Sequence, residues 1–302
     1  GDSCSSLTTS MNMTKTRQEI YDSLPTGTQV VVQKYGENQR VAISNLQILP
    51  QKPPPISELE DGDVVVGVGS SQVVWTDTVM MTGQYQHKPR LPFTPGTTYS
   101  GVVLWTTPKA EKSGIRVGEK IAIAGADAGP RSKGRHQKWG GCASYAVAPY
   151  TAARRYPHTW SDGEAASFVY GYDTAYHCLV ERGKIQKGET ILIHGATGGV
   201  GIPAVLMCLS LGLTVIATTR SASKEKFLKN LGVHHVIVLS SPSPSISSFS
   251  KEVKKITGGK GCDLVYDGVG GDAITVESLR ALKFKGRLLI VGWAATPNVA
   301  EG

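Results

Sequence analysis

The sequence has no closely spaced pair of cysteines. Its five cysteines stand at positions 4, 142, 178, 208 and 262, an odd number, widely scattered and without a Cys-x-x-Cys neighbour. That pattern excludes a disulfide framework and a zinc cluster, and makes a reducing, cytoplasmic setting the expectation. The N-terminus lacks the apolar run of a secretory signal, and Gly1 to Asn12 read as a loose tail or a cloning remnant. There is no internal repeat. Formal charge is missing from Ile191 to Thr219, long enough to span a bilayer. Yet Gly195, Gly198, Gly199, Gly201 and Pro203 interrupt this stretch. A buried strand, a glycine turn and a helix explain it better, so no membrane span is expected.

What the chain does have is glycine, 35 of its 302 residues. Average usage is about 7%. An excess without a collagen period points to tight turns or to backbone approaching a ligand. Hydrophobic residues at 40% and charged residues at 19% exclude a disordered chain. The net charge of +8 favours anionic partners of any kind, from nucleic acid to phosphorylated cofactors.

Two rhythms divide the chain. Residues 1–27 form the tail. From residue 28 to 160, short apolar runs such as Gln29–Gln33, Asp63–Gly69, Gly101–Leu104, Lys120–Ile123 and Ser144–Val147 alternate with Gly, Pro and Asn turns. Such spacing predicts an irregular, barrel-like β domain. Within it, Arg131–Lys138 reads as a solvated basic loop. From 161 to 302, strands and helices alternate, which predicts a parallel sheet covered on both faces. Ser161 or Asp162 should cap a first helix, and a second, about Ala175–Arg182, should bridge the halves. Strands are expected at Thr190–His194, Thr214–Thr218, Val236–Leu239, Leu264–Asp267 and Arg287–Val291. Ser240–Ser250 reads as a serine- and proline-rich loop.

The loop Ala196-Thr197-Gly198-Gly199-Val200-Gly201 falls where the first of these strands hands over to its helix. It is the dinucleotide fingerprint with Ala196 in place of the first glycine. Gly198 lets backbone approach a pyrophosphate, Gly201 permits close helix–strand packing, and the helix N-terminus offers free N–H groups. At the end of the second strand no acid precedes Glu225; the run is Thr219-Arg220-Ser221-Ala222-Ser223-Lys224. Arg220 and Lys224 suit a dianionic 2′-phosphate, and Thr219 and Ser221 can donate to it, so NADPH is expected over NADH.

Pro92–Gly96, Gly101–Val103, Gly140–Tyr145, Asp173–His177 and the Ala196–Gly201 loop occur in one order. That order resembles the medium-chain dehydrogenase/reductase superfamily, in its zinc-free quinone oxidoreductase, or zeta-crystallin-like, branch. The resemblance runs from about residue 28 to the end. It implies an α/β protein with a GroES-like β-barrel catalytic domain, a Rossmann domain with a doubly wound parallel sheet, and an active site in the cleft between them. It also implies a homodimer paired through the last Rossmann strand, near Arg287–Val291. Relatives continue past this point and return to the catalytic domain, so a chain ending at Gly302 is expected to lack that closing segment.

Alignment to metal-dependent relatives puts Val74, Thr97 and Thr98 at the positions of their zinc ligands, and none of the three is a customary ligand. Val74 also stands where many quinone reductases of the branch carry Asn, and Leu239 where the family has a cofactor-contacting tyrosine. The resemblance further implies that Thr174 lies near the nicotinamide phosphate side and that Val269-Gly270 and Val291-Gly292 frame the nicotinamide ring. Tyr85 matches a tyrosine given a catalytic role in the enoyl thioester branch. Trp75 and Tyr99 are candidates for lining the substrate cleft. The expected activity is metal-free hydride delivery from NADPH to a quinone or an α,β-unsaturated carbonyl. The alternatives are an enoyl thioester reductase and a non-enzymatic NADPH-binding protein associated with RNA or vesicles. No nucleic-acid partner is expected, because Arg131–Lys138 has no interleaved aromatics beyond Trp139.

Overall fold

The computed structural model describes residues 16–239 and 248–292. The described chain opens with helix α1 (Arg17–Asp22), closed by a reciprocal cap between Thr16 and Glu19. Its Tyr21 is buried edge-on to Trp105, ring centres 5.3 Å apart, and donates its hydroxyl to the Pro54 carbonyl at 2.7 Å. The described part of the expected tail is therefore a docked helix, because one aromatic finds both a core slot and an acceptor. Gly1–Asn12 lie outside the described residues.

An antiparallel ribbon follows, β1 (Gly27–Val31) and β2 (Gln47–Gln51), with α2 (Gln39–Ser44) between them in sequence. Then come β3 (Asp63–Gln72), α3 (Trp75–Met80), β4 (Thr98–Thr106), α4 (Pro108–Lys112), β5 (Lys120–Ile123), β6 (Tyr145–Pro149) and β7 (Ala153–Arg155). These strands form one antiparallel sheet in the order β6-β3-β4-β5-β7. The two-residue period is plain in β3. Val64 and Val66 face one core cluster with Val103 and Ile121, while Val65 faces another with Tyr21 and Val147.

Helix α5 (Asp162–Tyr176) starts at Ser161, whose hydroxyl accepts the Glu164 N–H while Glu164 accepts the Ser161 N–H at 2.7 Å. Its first residue is tied back to the β domain. Asp162 accepts from the Tyr156 hydroxyl at 2.8 Å and from Lys120 at 3.2 Å, and these partners hold its carboxyl below its ordinary value against partial burial. α5 runs without a break into a wide π-type turn over His177–Arg182, where two separate helices were expected. The run from Asp162 to Arg182 contains no proline, so no residue forces a break.

The C-terminal half alternates β8 (Thr190–His194), α6 (Gly201–Ser210), β9 (Thr214–Thr219), α7 (Ala222–Asn230), β10 (His235–Val238), α8 (Phe249–Ile256), β11 (Cys262–Asp267), α9 (Asp272–Ala281) and β12 (Leu282–Ile290). All five strands are parallel, in the order β10-β9-β8-β11-β12. The winding direction reverses between β8 and β11, and in such sheets a ligand crevice opens at that point. β8 and β9 are buried on both faces, as central parallel strands must be, and each fully buried Ile or Leu contributes roughly 1.5–3 kcal/mol. The uncharged stretch from Ile191 to Thr219 is thus a strand, a turn, a helix and a strand. No helix among the described residues is long and apolar enough to cross a membrane.

One expectation fails here. Arg131–Lys138 is not a solvated loop: Arg135 and His136 both bind the carboxylate of Asp63, whose side chain is 4% exposed. Burial raises the Asp63 carboxyl, but hydrogen bonds from His136, the Glu60 N–H and Arg135 outweigh it and hold the group below its ordinary value. A buried acid on β3 recruits the loop's charges, and composition alone does not reveal such a partner.

Candidate functional site

β8 ends at His194, and the chain turns through Gly195–Val200 into α6. Gly195 sits in the left-handed region at φ +67°. A Cβ on Gly201 would lie 2.1 Å from the Gly195 oxygen, so any larger residue pushes α6 away from the strand. Gly198 differs. Its nearest neighbour would be the same oxygen at 3.2 Å, and the residue is exposed, so its smallness serves the open side of the loop. The Gly198 N–H is spent on the Gly195 carbonyl at 2.9 Å and the Gly201 N–H on the Gly198 carbonyl at 3.0 Å. The N–H groups of Thr197, Gly199 and Val200 have no acceptor among the described residues. Ala196 faces the opposite way, buried in the core with Ile193 and Ala204, and offers a ligand only backbone.

His194 braces this turn from below. Its Nε2 lies 2.9 Å from the Ser278 hydroxyl, which donates its own proton to the Ile274 carbonyl at 2.7 Å, so Nε2 carries the hydrogen. Nδ1 then accepts from the Thr218 hydroxyl at 2.8 Å. Burial pushes the imidazole down to about 4, with Asp267 opposing, and the ring is a neutral strut between β8, β9 and α9.

At the end of β9 the Thr219 hydroxyl accepts the Ser221 N–H at 3.2 Å, and the Ser221 hydroxyl lies 2.8 Å from that of Ser223. Arg220 and Lys224 are exposed, and neither makes an ion pair among the described residues, whereas Glu225 is neutralised by Lys229 at 2.6 Å. Leu239 lies alongside, its N–H on the Thr219 carbonyl at 2.7 Å.

On the other side of the switch point Asp267 is fully buried. Its Oδ1 accepts the Val269 and Gly270 N–H groups at 3.0 and 2.9 Å. Its carbonyl accepts the Val291 and Gly292 N–H groups at 2.8 and 3.2 Å. One residue thus fixes both segments expected to frame a nicotinamide.

A cleft of about 350 Å³ opens beside α5, lined by Thr98, Arg131, Tyr170, Asp173, Thr174 and His177 among others. The Tyr170 hydroxyl sits 3.3 Å from that of Thr76, and the Arg131 guanidinium lies 5.4 Å from the centre of its ring. Burial raises the Tyr170 hydroxyl, which therefore keeps its proton at neutral pH. Tyr85 is half-buried, 5.9 Å from the His87 ring, and makes no hydrogen bond to a described residue. Trp75 is exposed at the start of α3. Tyr99 does not line the cleft: it is fully buried in the core of the β domain with Val64 and Ile121, because its place on β4 points inward.

Two family models match this chain: the alcohol dehydrogenase GroES-like domain over residues 60–158 and the zinc-binding dehydrogenase domain over 199–301. Quinone oxidoreductase-like protein 2 of Rattus norvegicus is 32% identical over 85% of this chain and 67% of its own length. The chain belongs to the medium-chain dehydrogenase/reductase superfamily of oxidoreductases, in its quinone oxidoreductase-like branch. Of some far longer relatives it spans only 12%. Two solved structures share the fold. A mycobacterial protein complexed with NADPH is 27% identical, with a TM-score of 0.75 over 90% of this chain and 75% of that one. The CurK enoyl reductase is 26% identical, with a TM-score of 0.71 over 87% of this chain and 73% of that one.

Within this medium-chain reductase, Val74, Thr97 and Thr98 have structural employment. Asp77, buried at the third position of α3, accepts from the Val74 N–H at 3.0 Å and from the Thr97 hydroxyl at 2.6 Å; burial nonetheless raises its carboxyl. The Thr98 hydroxyl donates to Gln72 at 3.2 Å. Tyr170 and Arg131 escaped the sequence reading. Tyr170 has no motif around it, and Arg131 sat with Lys133, Arg135, His136 and Lys138 in a segment read as solvated.

Proposed function

We infer that this protein is an NADPH-dependent, zinc-independent reductase that delivers hydride to quinones or α,β-unsaturated carbonyls. One observation carries the reading: an exposed glycine turn with three N–H groups that find no acceptor among the described residues lies one strand away from two cations that make no ion pair among them. A pyrophosphate fits the first and a ribose 2′-phosphate the second. The open face of Gly198 is the cradle that a Cβ would fill.

Bound NADPH supplies the hydride. Thr197, Gly199 and Val200 donate backbone N–H groups to its pyrophosphate, and Arg220 and Lys224 pair with the 2′-phosphate beside Thr219 and Ser221. Thr174 and the Asp267-held segments Val269-Gly270 and Val291-Gly292 orient the nicotinamide. Negative charge develops on the substrate's carbonyl oxygen, and a protonated tyrosine at that oxygen stabilises and protonates it. Tyr85 is assigned that role, half-buried and without a hydrogen-bond partner among the described residues, while Tyr170 lines the cleft with its hydroxyl protonated. Non-ligand side chains at Val74, Thr97 and Thr98 support chemistry without zinc. A second copy is expected along β12, the edge strand, where Phe284 is 89% exposed.

The likeness to the CurK enoyl reductase favours a second reading, in which the substrate is an enoyl thioester. Following absorbance at 340 nm with one quinone, one enone and one enoyl thioester, under NADPH and again under NADH, tests both. The expected result is NADPH-dependent reduction of the quinone or the enone, with the thioester slower by about tenfold or more. Preference for the thioester establishes the second reading, and inertness toward all three contradicts both.

A further inference from the structure

We propose that Arg131 selects the substrate, and that the substrate it selects carries a carboxylate next to its conjugated carbonyl system. The proposal rests on the reductase reading above. Arg131 lines the cleft beside α5, its guanidinium 5.4 Å from the centre of the Tyr170 ring, and its Nε is buried without a hydrogen-bond partner among the described residues. It makes no ion pair among the described residues.

Two other arginines show what an employed guanidinium looks like here. Arg135, four residues along the same loop, is committed to Asp63 and to the Glu58 carbonyl. Arg287 also has an unpartnered Nε, but its Nη2 holds both Glu189 oxygens at 2.7 Å. Arg131 alone of the three is left facing a cavity with its charge unanswered. Asp173 lines the same cleft but makes no ion pair with Arg131; burial raises its carboxyl, with the charge of Arg154 opposing.

A buried donor without an acceptor is costly, and a half-buried cation without an anion more so, so a site that keeps both is built for a ligand that answers them. The planar guanidinium fork matches a carboxylate in bidentate fashion. A cavity of about 350 Å³ admits a small keto-alkenoate. Contact with the Tyr170 ring holds the guanidinium in the cleft and brings the anchored carboxylate near the Tyr170 hydroxyl, which itself lies 3.3 Å from that of Thr76.

The test compares trans-4-oxo-2-pentenoate with its methyl ester in the NADPH-loaded enzyme. Taking the ratio of variant to wild type for each compound cancels their different intrinsic reactivity. Arg131→Gln is expected to lower kcat/KM for the acid by about tenfold or more, leave the ester within about twofold, and leave the KM for NADPH unchanged; Arg131→Lys should restore part of the loss. Equal losses for acid and ester, or a raised KM for NADPH, overturn the proposal. If wild type reduces neither compound, the reductase reading is decided separately by the quinone, enone and thioester panel above, and calorimetry with levulinate and methyl levulinate decides the anion site by itself. Arg131-dependent binding of the acid upholds the site, and binding indifferent to Arg131, or none, overturns it.

Discussion

Alanine at Gly201 is expected to destabilise the protein, and alanine at Gly198 to leave it folded but blind to NADPH. The chemical change is identical, one methyl group each, and the two positions lie in the same turn. At Gly201 the new Cβ would fall 2.1 Å from a backbone oxygen, which cannot swing aside as a side chain can. Either α6 retreats from β8 or the Gly195 turn opens, and overpacking of this kind costs about 1–3 kcal/mol. Urea unfolding should show that loss as a lower midpoint with an unchanged slope. At Gly198 the Cβ meets only the same oxygen at 3.2 Å, a contact that relaxes with small shifts, so stability should change by less than about 1 kcal/mol. The methyl group then occupies the space the pyrophosphate needs, and the Kd for NADPH should rise at least about tenfold, or about 1.4 kcal/mol. Equal stability losses at both positions would mean that Gly198 is part of the packing and not of a ligand cradle.

Asp267→Ala is expected to cost both stability and turnover, and Asp267→Asn to restore most of the first. Removing the fully buried carboxylate strands two N–H groups, that of partly buried Val269 and that of buried Gly270. Each buried unsatisfied group costs about 1–3 kcal/mol, so the sum is on the order of 3 kcal/mol, read by thermal or urea unfolding. Asparagine keeps an acceptor at Oδ1, and the other oxygen it replaces has no hydrogen-bond partner, so its amide nitrogen breaks no bond. Because Asp267 acts through the backbone it holds, the alanine variant should lower kcat more than it raises the KM for NADPH, whose phosphates bind elsewhere. Equal scaling of kcat and KM across both variants would contradict a positioning role.

The parallel half of the fold was legible in the sequence because its strands are apolar throughout and its turns carry glycine. Thr190–His194 is a strand with the bounds expected, and β9 extends only to Thr219. The glycine turn between β8 and α6 was legible for the same reason, since Gly201 has a steric signature that spacing preserves. What stayed hidden depends on partners distant in sequence. Tyr99 looks like any aromatic near a cleft until β4 turns it inward against Val64 and Ile121. Arg135 and His136 look solvated until Asp63, more than seventy residues earlier, is found beneath them. Arg131 and Tyr170 meet only because α5 passes under the loop between β5 and β6. Asp267 showed no signal as the holder of two separate segments, because its carboxylate serves one and its carbonyl the other.

NADPH dependence requires recognition of a 2′-phosphorylated dinucleotide at the end of β9. Titration of NADPH and NADH into the protein, followed by nicotinamide fluorescence, measures it directly. NADPH is predicted to bind about tenfold or more tighter than NADH, and Arg220→Ala to remove that difference by weakening NADPH alone. Binding of neither nucleotide, or equal loss of both in the Arg220 variant, would contradict it.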